Sequence, residues 1–106
     1  MTETENLQRL IDLITKLLAD AHARLGDQPD WSSDREGYHA YDRRRREEME
    51  AIKAYLTEHE GARFSRKPGY DVAVRLAGIR SSCTGGDWGL LTNWRRAAAI
   101  KLGAPL

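Results

Sequence analysis

This sequence has very little cysteine. Cys83 stands alone among 106 residues, so no disulfide can form within the chain, and we expect a reducing, cytoplasmic setting. No histidine lies near Cys83 in the sequence to act as its base, and one cysteine with scattered histidines shows no metal-ligand spacing. We therefore expect no enzymatic activity, no metal and no cofactor. The histidines are His22, His39 and His59.

An excess of charge and a long apolar run are also missing. The chain has 17 Lys and Arg against 16 Asp and Glu, a formal net charge of +1, which disfavours nucleic acid as a partner. No apolar run approaches the ~20 residues that would span a bilayer, and the acidic, polar residues 1–6 are unlike a signal peptide. Apolar residues make up 41% and charged residues 31%, which is typical of one globular domain over residues 1–106.

What the sequence does have is helical periodicity in three stretches. Apolar residues recur at steps of three and four over residues 3–25, which predicts an amphipathic helix. A thinner apolar stripe predicts a second helix over residues 38–60, for which Ser33 has capping-box spacing. A third helix is predicted over residues 87–102, with Asp87 as its cap.

Four consecutive arginines, Arg43–Arg46, precede a group of acids in the second helix. Three Arg–Glu pairs lie four residues apart and can form along a solvated helix face, although this order of charges is the weaker one. The alternative is that the four arginines hold phosphates. The predicted pairs are Arg43–Glu47, Arg44–Glu48 and Arg46–Glu50.

Two stretches favour β-structure, residues 62–67 and 71–82, on either side of the turn signal Pro68-Gly69. Alternation with β-branched residues predicts one strand over 71–82, although its apolar spacing also suits a short helix. Two strands make a poor sheet alone, so we expect the edge to pair with another subunit. The predicted fold is α+β, with two long N-terminal helices, a short β-hairpin or strand and a C-terminal helix, assembled as a homo-oligomer. The alternative is an all-α fold.

Small residues just ahead of the last helix, within residues 80–98, mark the candidate binding site. Glycines let the backbone approach a ligand, and a helix N-terminus attracts anions. These glycines form neither a P-loop nor a dinucleotide fingerprint, because the Gly-Lys-Ser/Thr ending and the βαβ unit are absent. We interpret the stretch as a site for a phosphorylated small molecule, and the alternative is an ordinary strand-to-helix turn. Arginines for phosphates, hydroxyls for hydrogen bonds and aromatic rings for a base give the candidate set Arg63, Arg80, Arg95, Ser81, Ser82, Thr84, Tyr55 and Trp88.

A pattern within residues 70–100 resembles the Thoeris anti-defence sponge family. It consists of Leu76-Ala-Gly-Ile-Arg-Ser-Ser-Cys-Thr-Gly-Gly followed by Leu90-Leu-Thr-Asn-Trp-Arg-Arg-Ala-Ala. The resemblance implies a phage-encoded, oligomeric protein in the cytoplasm of an infected host cell. Such a protein sequesters a cyclic ADP-ribose-type signal, or in some members a cyclic oligonucleotide, without turnover. It also implies ligand contacts from Arg80 and Ser81 and a stacking ring from the second helix, while Cys83 and Gly86 depart from the family pattern.

Two other functions are compatible with the sequence. One is a protein inhibitor or regulator, similar to an anti-CRISPR protein, that docks on a host complex through Arg43–Arg46. The other is a nucleic-acid binder that uses Arg43–Arg46 together with residues 95–101. The nearly neutral net charge makes the second of these the less favoured.

Overall fold

Two helices, three short strands and a third helix follow one another along the chain. The computed structural model describes residues 2–66 and 71–103. The elements are α1 (Glu3–Leu25), α2 (Arg35–Glu60), β1 (Arg63–Arg66), β2 (Val72–Leu76), β3 (Ile79–Cys83) and α3 (Asp87–Lys101). The fold is therefore α+β, as predicted, and the all-α alternative is wrong. The predicted turn at Pro68-Gly69 lies outside the described residues.

Short polar side chains fix where the first two helices begin. Thr2 Oγ1 accepts a hydrogen bond from the Glu5 N–H at 3.1 Å and caps α1. The predicted cap of α2, Ser33, is wrong. Asp34 caps α2 by accepting the Gly37 N–H at 2.9 Å, so the helix begins three residues earlier than predicted.

The predicted Arg–Glu pairs along α2 are not among the ion pairs of the described residues. Arg46 instead reaches back to Asp42, with 2.7 Å between Nη2 and Oδ2. Glu48 bonds Arg24 of α1 at 2.6 Å, and Glu50 bonds a lysine. An acid four residues ahead of its arginine is the better orientation on a helix, which explains the choice of Asp42.

Residues 71–82 form two strands rather than the predicted single strand. Ala77 and Gly78 join β2 to β3 with φ angles of 51° and 77°. Two left-handed residues make the tight hairpin turn whose twist matches its strands. β1 pairs with β2 and β2 with β3, all antiparallel, in the order β1-β2-β3. This third strand comes from the chain itself, so the sequence argument for pairing with another subunit no longer applies.

The helices cover one face of the sheet and leave the other open. α3 packs on β2 and β3, α2 contacts β1, and α1 lies against both α2 and α3. Trp94 of α3 is completely buried, and its Nε1 donates to the Leu76 carbonyl at 3.2 Å. None of the described helices combines the length and the apolar character that crossing a membrane requires. The buried side chains of the covered sheet face are Val72, Val74, Leu76 and Ile79.

Candidate functional site

Two predicted site residues that are far apart in the sequence, Arg63 and Arg80, meet on the open face of the sheet. Arg63 stands opposite Arg75 in the β1–β2 ladder, and Arg75 stands opposite Arg80 in the β2–β3 ladder. All three are exposed. Side chains at paired positions of a sheet project from the same face, so the three arginines lie side by side on the open face. We call these three residues the arginine row. Its central member, Arg75, was not among the predicted site residues.

An uncharged row lies next to the arginine row. Ser65, Ala73 and Ser82 stand opposite one another on the same three strands. A shallow depression of about 340 Å³ is lined by the arginine row together with residues of this second row. The fold thus places Ser82 on the same face as Arg63 and Arg80, as a binding site containing all three would require.

The arginine row has no ion-pair partner among the described residues. Across residues 2–66 and 71–103, none of the ion pairs includes Arg63, Arg75 or Arg80. Like charges directly opposite one another in a sheet are destabilising, so folding does not account for the row. Asp71, just ahead of β2, is the acid that comes closest along that strand, four residues from Arg75.

Arg80 also borders the edge of β3, where Ser81 lies beside α3. An open surface of about 460 Å³ is lined there by Arg80, Ser81, Ser82 and Arg96 among others. Asn93 Nδ2 donates to the Ser82 carbonyl at 3.1 Å, which satisfies a backbone acceptor at the sheet edge. The structure therefore places Arg80 between two surfaces: it shares the open face of the sheet with Arg63 and the β3 edge with Ser81 and Ser82.

A second group of arginines lines a cleft between α2 and the start of α3. The cleft has a volume of about 310 Å³, and α2 contributes Arg45 and Arg46, β1 contributes Arg66 and α3 contributes Trp88. The Arg45 guanidinium lies 5.2 Å from the centroid of the Trp88 ring, a cation–π arrangement. We call this cavity the Trp88 cleft.

The start of α3 opens into the Trp88 cleft without a capping side chain from the described residues. Gly86 is the N-cap with a φ of 103°, and the prediction that Asp87 caps the helix is wrong. Asp87 is drawn instead to Lys53 of α2, with 3.3 Å between Oδ2 and Nζ. The first N–H groups of α3 therefore present their partial positive charge to the cleft.

The carboxylates that line the Trp88 cleft share one lysine. Glu50 and Asp87 each lie 3.3 Å from Lys53 Nζ. Arg45 and Arg66 take part in none of the ion pairs of the described residues. Positive charge therefore dominates beside the Trp88 ring.

Three predicted site residues lie elsewhere. Arg95 Nη1 donates to Thr15 Oγ1 of α1 at 2.9 Å, which turns the guanidinium towards α1. The Tyr55 ring stacks on His59 of its own helix, with 4.6 Å between centroids. Thr84 is exposed in the loop between β3 and α3. Neither Arg95 nor Tyr55 lines the Trp88 cleft or the depression over the arginine row.

The distribution of charge along the chain is the signal that sequence reasoning missed. Residues 1–60 carry nine Lys and Arg against 14 Asp and Glu, whereas residues 61–106 carry eight against two. The formal charges of the two parts are therefore −5 and +6, which the net charge of +1 conceals. Counting by part would have drawn attention to Arg66 and Arg75.

The remaining polar groups considered as candidates are the single cysteine and the possible metal ligands. Cys83 is half-buried, and its sulfur accepts the Gly85 N–H at 3.2 Å. In the part of the chain that the structure describes, no group of three or more His, Cys, Asp or Glu side chains could hold a metal ion. Anion binding, at the arginine row and in the Trp88 cleft, is what the geometry offers.

Comparisons with family models, with curated proteins and with solved structures give no match for this chain. The physical basis for a function is therefore the arginine row and the Trp88 cleft themselves.

Proposed function

We propose that this protein is a binding module that holds a phosphorylated nucleotide in the Trp88 cleft without turning it over. One observation carries the proposal: an aromatic ring, three guanidinium groups and an uncapped helix start line a single cleft. The arginines Arg45, Arg46 and Arg66 come from two elements, and Trp88 comes from a third. Folding, rather than a local sequence motif, assembles this combination.

Each part of the Trp88 cleft suits one part of a nucleotide. The ring of Trp88 offers a face on which a base can stack, and Arg45 already lies against that ring. Arg66 and the first N–H groups of α3 suit a phosphate, because charge-assisted and helix-terminal hydrogen bonds favour anions. The cleft volume of about 310 Å³ is at the small end of the range for ligand pockets, about 300–1,000 Å³.

The ion pairs made by the acids of the cleft support binding without turnover. Both carboxylates, Glu50 and Asp87, lie against Lys53. A carboxylate that neutralises a lysine is poorly placed to remove a proton from a bound ligand. The cleft therefore favours holding an anion over reacting with it.

Within the class of binding modules, we propose the particular role implied by the sequence resemblance over residues 70–100. The protein would be a phage anti-defence sponge that sequesters a cyclic ADP-ribose-type signal in the cytoplasm of an infected cell. This role includes a homo-oligomer, for which Ile100, 59% exposed beside the β3 edge, supplies an apolar contact point. Native mass spectrometry tests the assembly, and a monomer at all concentrations would contradict it.

Ligand binding is tested with purified protein, cyclic ADP-ribose isomers and cyclic oligonucleotides. We expect one of these compounds to raise the melting temperature, because a ligand at 100 times its Kd stabilises the folded state by about 2.7 kcal/mol. Heating the complex should then release the compound, and mass spectrometry should find it intact. No change in melting temperature with any compound, and no intact compound recovered, would contradict the proposal.

Three variants locate the bound nucleotide. Arg66→Gln should weaken binding about tenfold or more, because it removes one charge-assisted contact worth about 1.5–3 kcal/mol. Arg43→Gln is the matched control, because Arg43 is an exposed arginine of α2 that lines neither site. Arg80→Ala tests the contact that the family resemblance implies. Lost binding in Arg80→Ala with normal binding in Arg66→Gln would move the nucleotide from the cleft to the sheet.

A second candidate function is inhibition of a host protein by direct contact. Trp31 is 46% exposed, and the Arg35 guanidinium lies 5.4 Å from its ring centroid. The rings of Tyr38 and His39 meet Trp31 edge-on at 5.2 and 5.0 Å. Trp, Tyr and Arg are the residue types enriched at the centres of protein interfaces. Loss of anti-defence activity in Trp31→Ala or in variants of Arg43 and Arg44, with nucleotide binding unchanged, would favour this function.

A further inference from the structure

We propose that the open face of the sheet binds the phosphate backbone of double-stranded nucleic acid through the arginine row, Arg63–Arg75–Arg80. This surface is separate from the Trp88 cleft, so the inference holds whether or not the cleft binds a nucleotide. It rests on the register of the strands, on the charges around the row and on the side chains that flank it.

The register sets the spacing of the three arginines. Neighbouring strands lie about 4.8 Å apart, so the Cα atoms of Arg63, Arg75 and Arg80 fall within about 10 Å along a line across the sheet. Duplex DNA carries one phosphate charge per about 1.7 Å of helix axis, so a line of this length faces several phosphates. Three flexible guanidinium groups on that line can each reach one.

The charges around the row show that it is not an ordinary solvated face. Elsewhere in the described residues, six of 13 Lys and Arg side chains stand against acids, so what sets the row apart is the register that places its three arginines opposite one another. In the arginine row, three cations face one another across the strands, an arrangement that costs stability. A polyanion on the open face would offset this repulsion, because each arginine would then lie close to a negative charge. The paired cations are Arg9 with Glu60, Lys16 with Asp20, Arg24 with Glu48, Arg46 with Asp42, Lys53 with Glu50 and Asp87, and Lys101 with Glu3.

The flanking side chains favour a duplex over other polyanions. Ser65 and Ser82 add hydroxyl groups to the face, and Ala73 between them is small and buried. Single-stranded nucleic acid is held largely by stacking on aromatic rings, and membrane surfaces by Trp, Phe and Leu beside the basic residues. Within the strands, the positions that project from this face carry arginine, serine and alanine, which suits contacts to phosphates. Phe64, which also lines the depression, has its ring 5.5 Å from Lys53 Nζ of α2, on the covered side of the sheet.

The acids and the arginines lie on different parts of the molecule, which favours binding of the duplex on the open face of the sheet. The helices α1 and α2, which hold most of the acids, do not cover the open face of the sheet, whereas Arg96 of α3 continues the positive surface around the β3 edge. A long polyanion that lies on the arginine row therefore meets residues 61–103, the basic part of the chain.

The test is fluorescence anisotropy with labelled DNA and RNA duplexes of about 20 base pairs, with salt raised from about 50 to about 200 mM. Three phosphate contacts predict a slope of about −2.7 in a plot of log K against log salt, which weakens binding about 40-fold over this range. Arg75→Gln should reduce the slope by about one, so the loss falls to about 12-fold. Arg43→Gln, an exposed arginine outside the row, should leave both values unchanged. Whichever duplex binds more tightly identifies the nucleic acid.

Circular dichroism shows whether Arg75→Gln is folded, so that a loss of duplex binding can be assigned to the lost charge. Arg63→Gln is a second variant for the case in which Arg75→Gln does not fold. We expect Arg75→Gln to melt at the same or a higher temperature, because it relieves repulsion at an exposed position. No duplex binding at about 50 mM salt would overturn the proposal, since phosphate contacts are strongest there. Equal losses in Arg75→Gln and Arg43→Gln would also overturn it, as would tighter binding to single strands or to anionic lipid vesicles than to either duplex.

Discussion

Trp94 connects α3 to the sheet by a hydrogen bond as well as by packing. Its side chain is fully buried, and its Nε1–H satisfies the Leu76 carbonyl at the end of β2. Trp94→Phe would remove the donor, leave the carbonyl without that partner and open a small cavity. We expect it to lower the free energy of unfolding by about 2 kcal/mol, measured by urea denaturation.

Trp31→Phe is the matched control for that measurement. Trp31 is 46% exposed, and a substitution at such a surface position should change the free energy of unfolding by less than about 0.5 kcal/mol. Similar losses in the two variants would show that the Trp94 hydrogen bond does not contribute as described.

Gly89 lets the first turn of α3 approach Cys83 of β3. A Cβ at position 89 would lie 2.9 Å from the Cys83 sulfur, which is itself held by the Gly85 N–H. Gly89→Ala should therefore lower the free energy of unfolding, although alanine is the better helix former. In the Cys83→Ala background the obstacle is gone, and the same change should raise it by about 0.5–1 kcal/mol. Urea denaturation of the four proteins measures this double-mutant cycle, and a loss in both backgrounds would show that the contact with the sulfur is not the cause.

Helices α1 and α2 are joined at one end by the ion pair between Arg9 and Glu60. Two hydrogen bonds of 3.0 and 2.7 Å run from Arg9 to the Glu60 carboxylate, whose side chain is 13% exposed. These bonds lower the pKa of Glu60 below its ordinary value of 4.5. A carboxylate whose pKa is lower in the folded state stabilises the fold above the unfolded pKa. That stability is lost as the pH falls through the folded pKa.

Glu60→Gln should therefore lower the free energy of unfolding at pH 7 by about 1 kcal/mol, an amount limited by the exposure of Arg9. The difference in the free energy of unfolding between this variant and the wild-type protein should shrink as the pH falls from about 5 to about 3. Over this range Glu60 becomes protonated first in the unfolded chain and then, at lower pH, in the folded protein. Urea titrations at several pH values measure it. Glu58→Gln, a nearby exposed position, is the control, and a difference that does not change with pH would contradict the assignment.

The helices could be predicted from the sequence because their signals are local. Apolar periodicity predicted α1 at residues 3–25, as observed, and α3 at residues 87–102, one residue longer than the observed Asp87–Lys101. The β-hairpin could not be predicted in the same way, because its turn, Ala77-Gly78, lies between Leu76 and Ile79 and puts an alanine at a positive φ. An alanine is rare in that conformation, so nothing marked the break in the predicted strand.

The candidate sites depend on contacts between elements, which local patterns do not record. Arg63 and Arg80 were predicted to hold phosphates, but the register that puts Arg75 between them appears only once the strands are paired. In the same way, Arg66 joins Trp88 because β1 lies beside α2 and the start of α3. The residue types were visible in the sequence, and their grouping was not.

Across the whole molecule, the net charge and the charge distribution lead to different expectations. A value of +1 disfavours a polyanion as partner, whereas charges of −5 on residues 1–60 and +6 on residues 61–106 favour one on the sheet side. Lys101 with Glu3 and Lys53 with Asp87 link the two parts by ion pairs. The separation of charge therefore leaves a basic face available to a ligand.

The two parts also share one core, so we expect them to unfold together. Buried side chains of all three helices and of the sheet form a single cluster, in which Ile14 of α1 and Leu90 of α3 are completely covered. Ile14→Ala and Leu90→Ala should each lower the free energy of unfolding by about 2–5 kcal/mol. Both core variants are made in a Trp31→Phe background, so that fluorescence reports Trp88 and Trp94 of α3. In urea, this fluorescence and the circular dichroism of the helices should give one midpoint in each variant, shifted equally for both probes. A variant in which fluorescence changes at lower urea than circular dichroism would contradict this, because it would mean that the sheet and α3 separate from α1 and α2 before the helices melt.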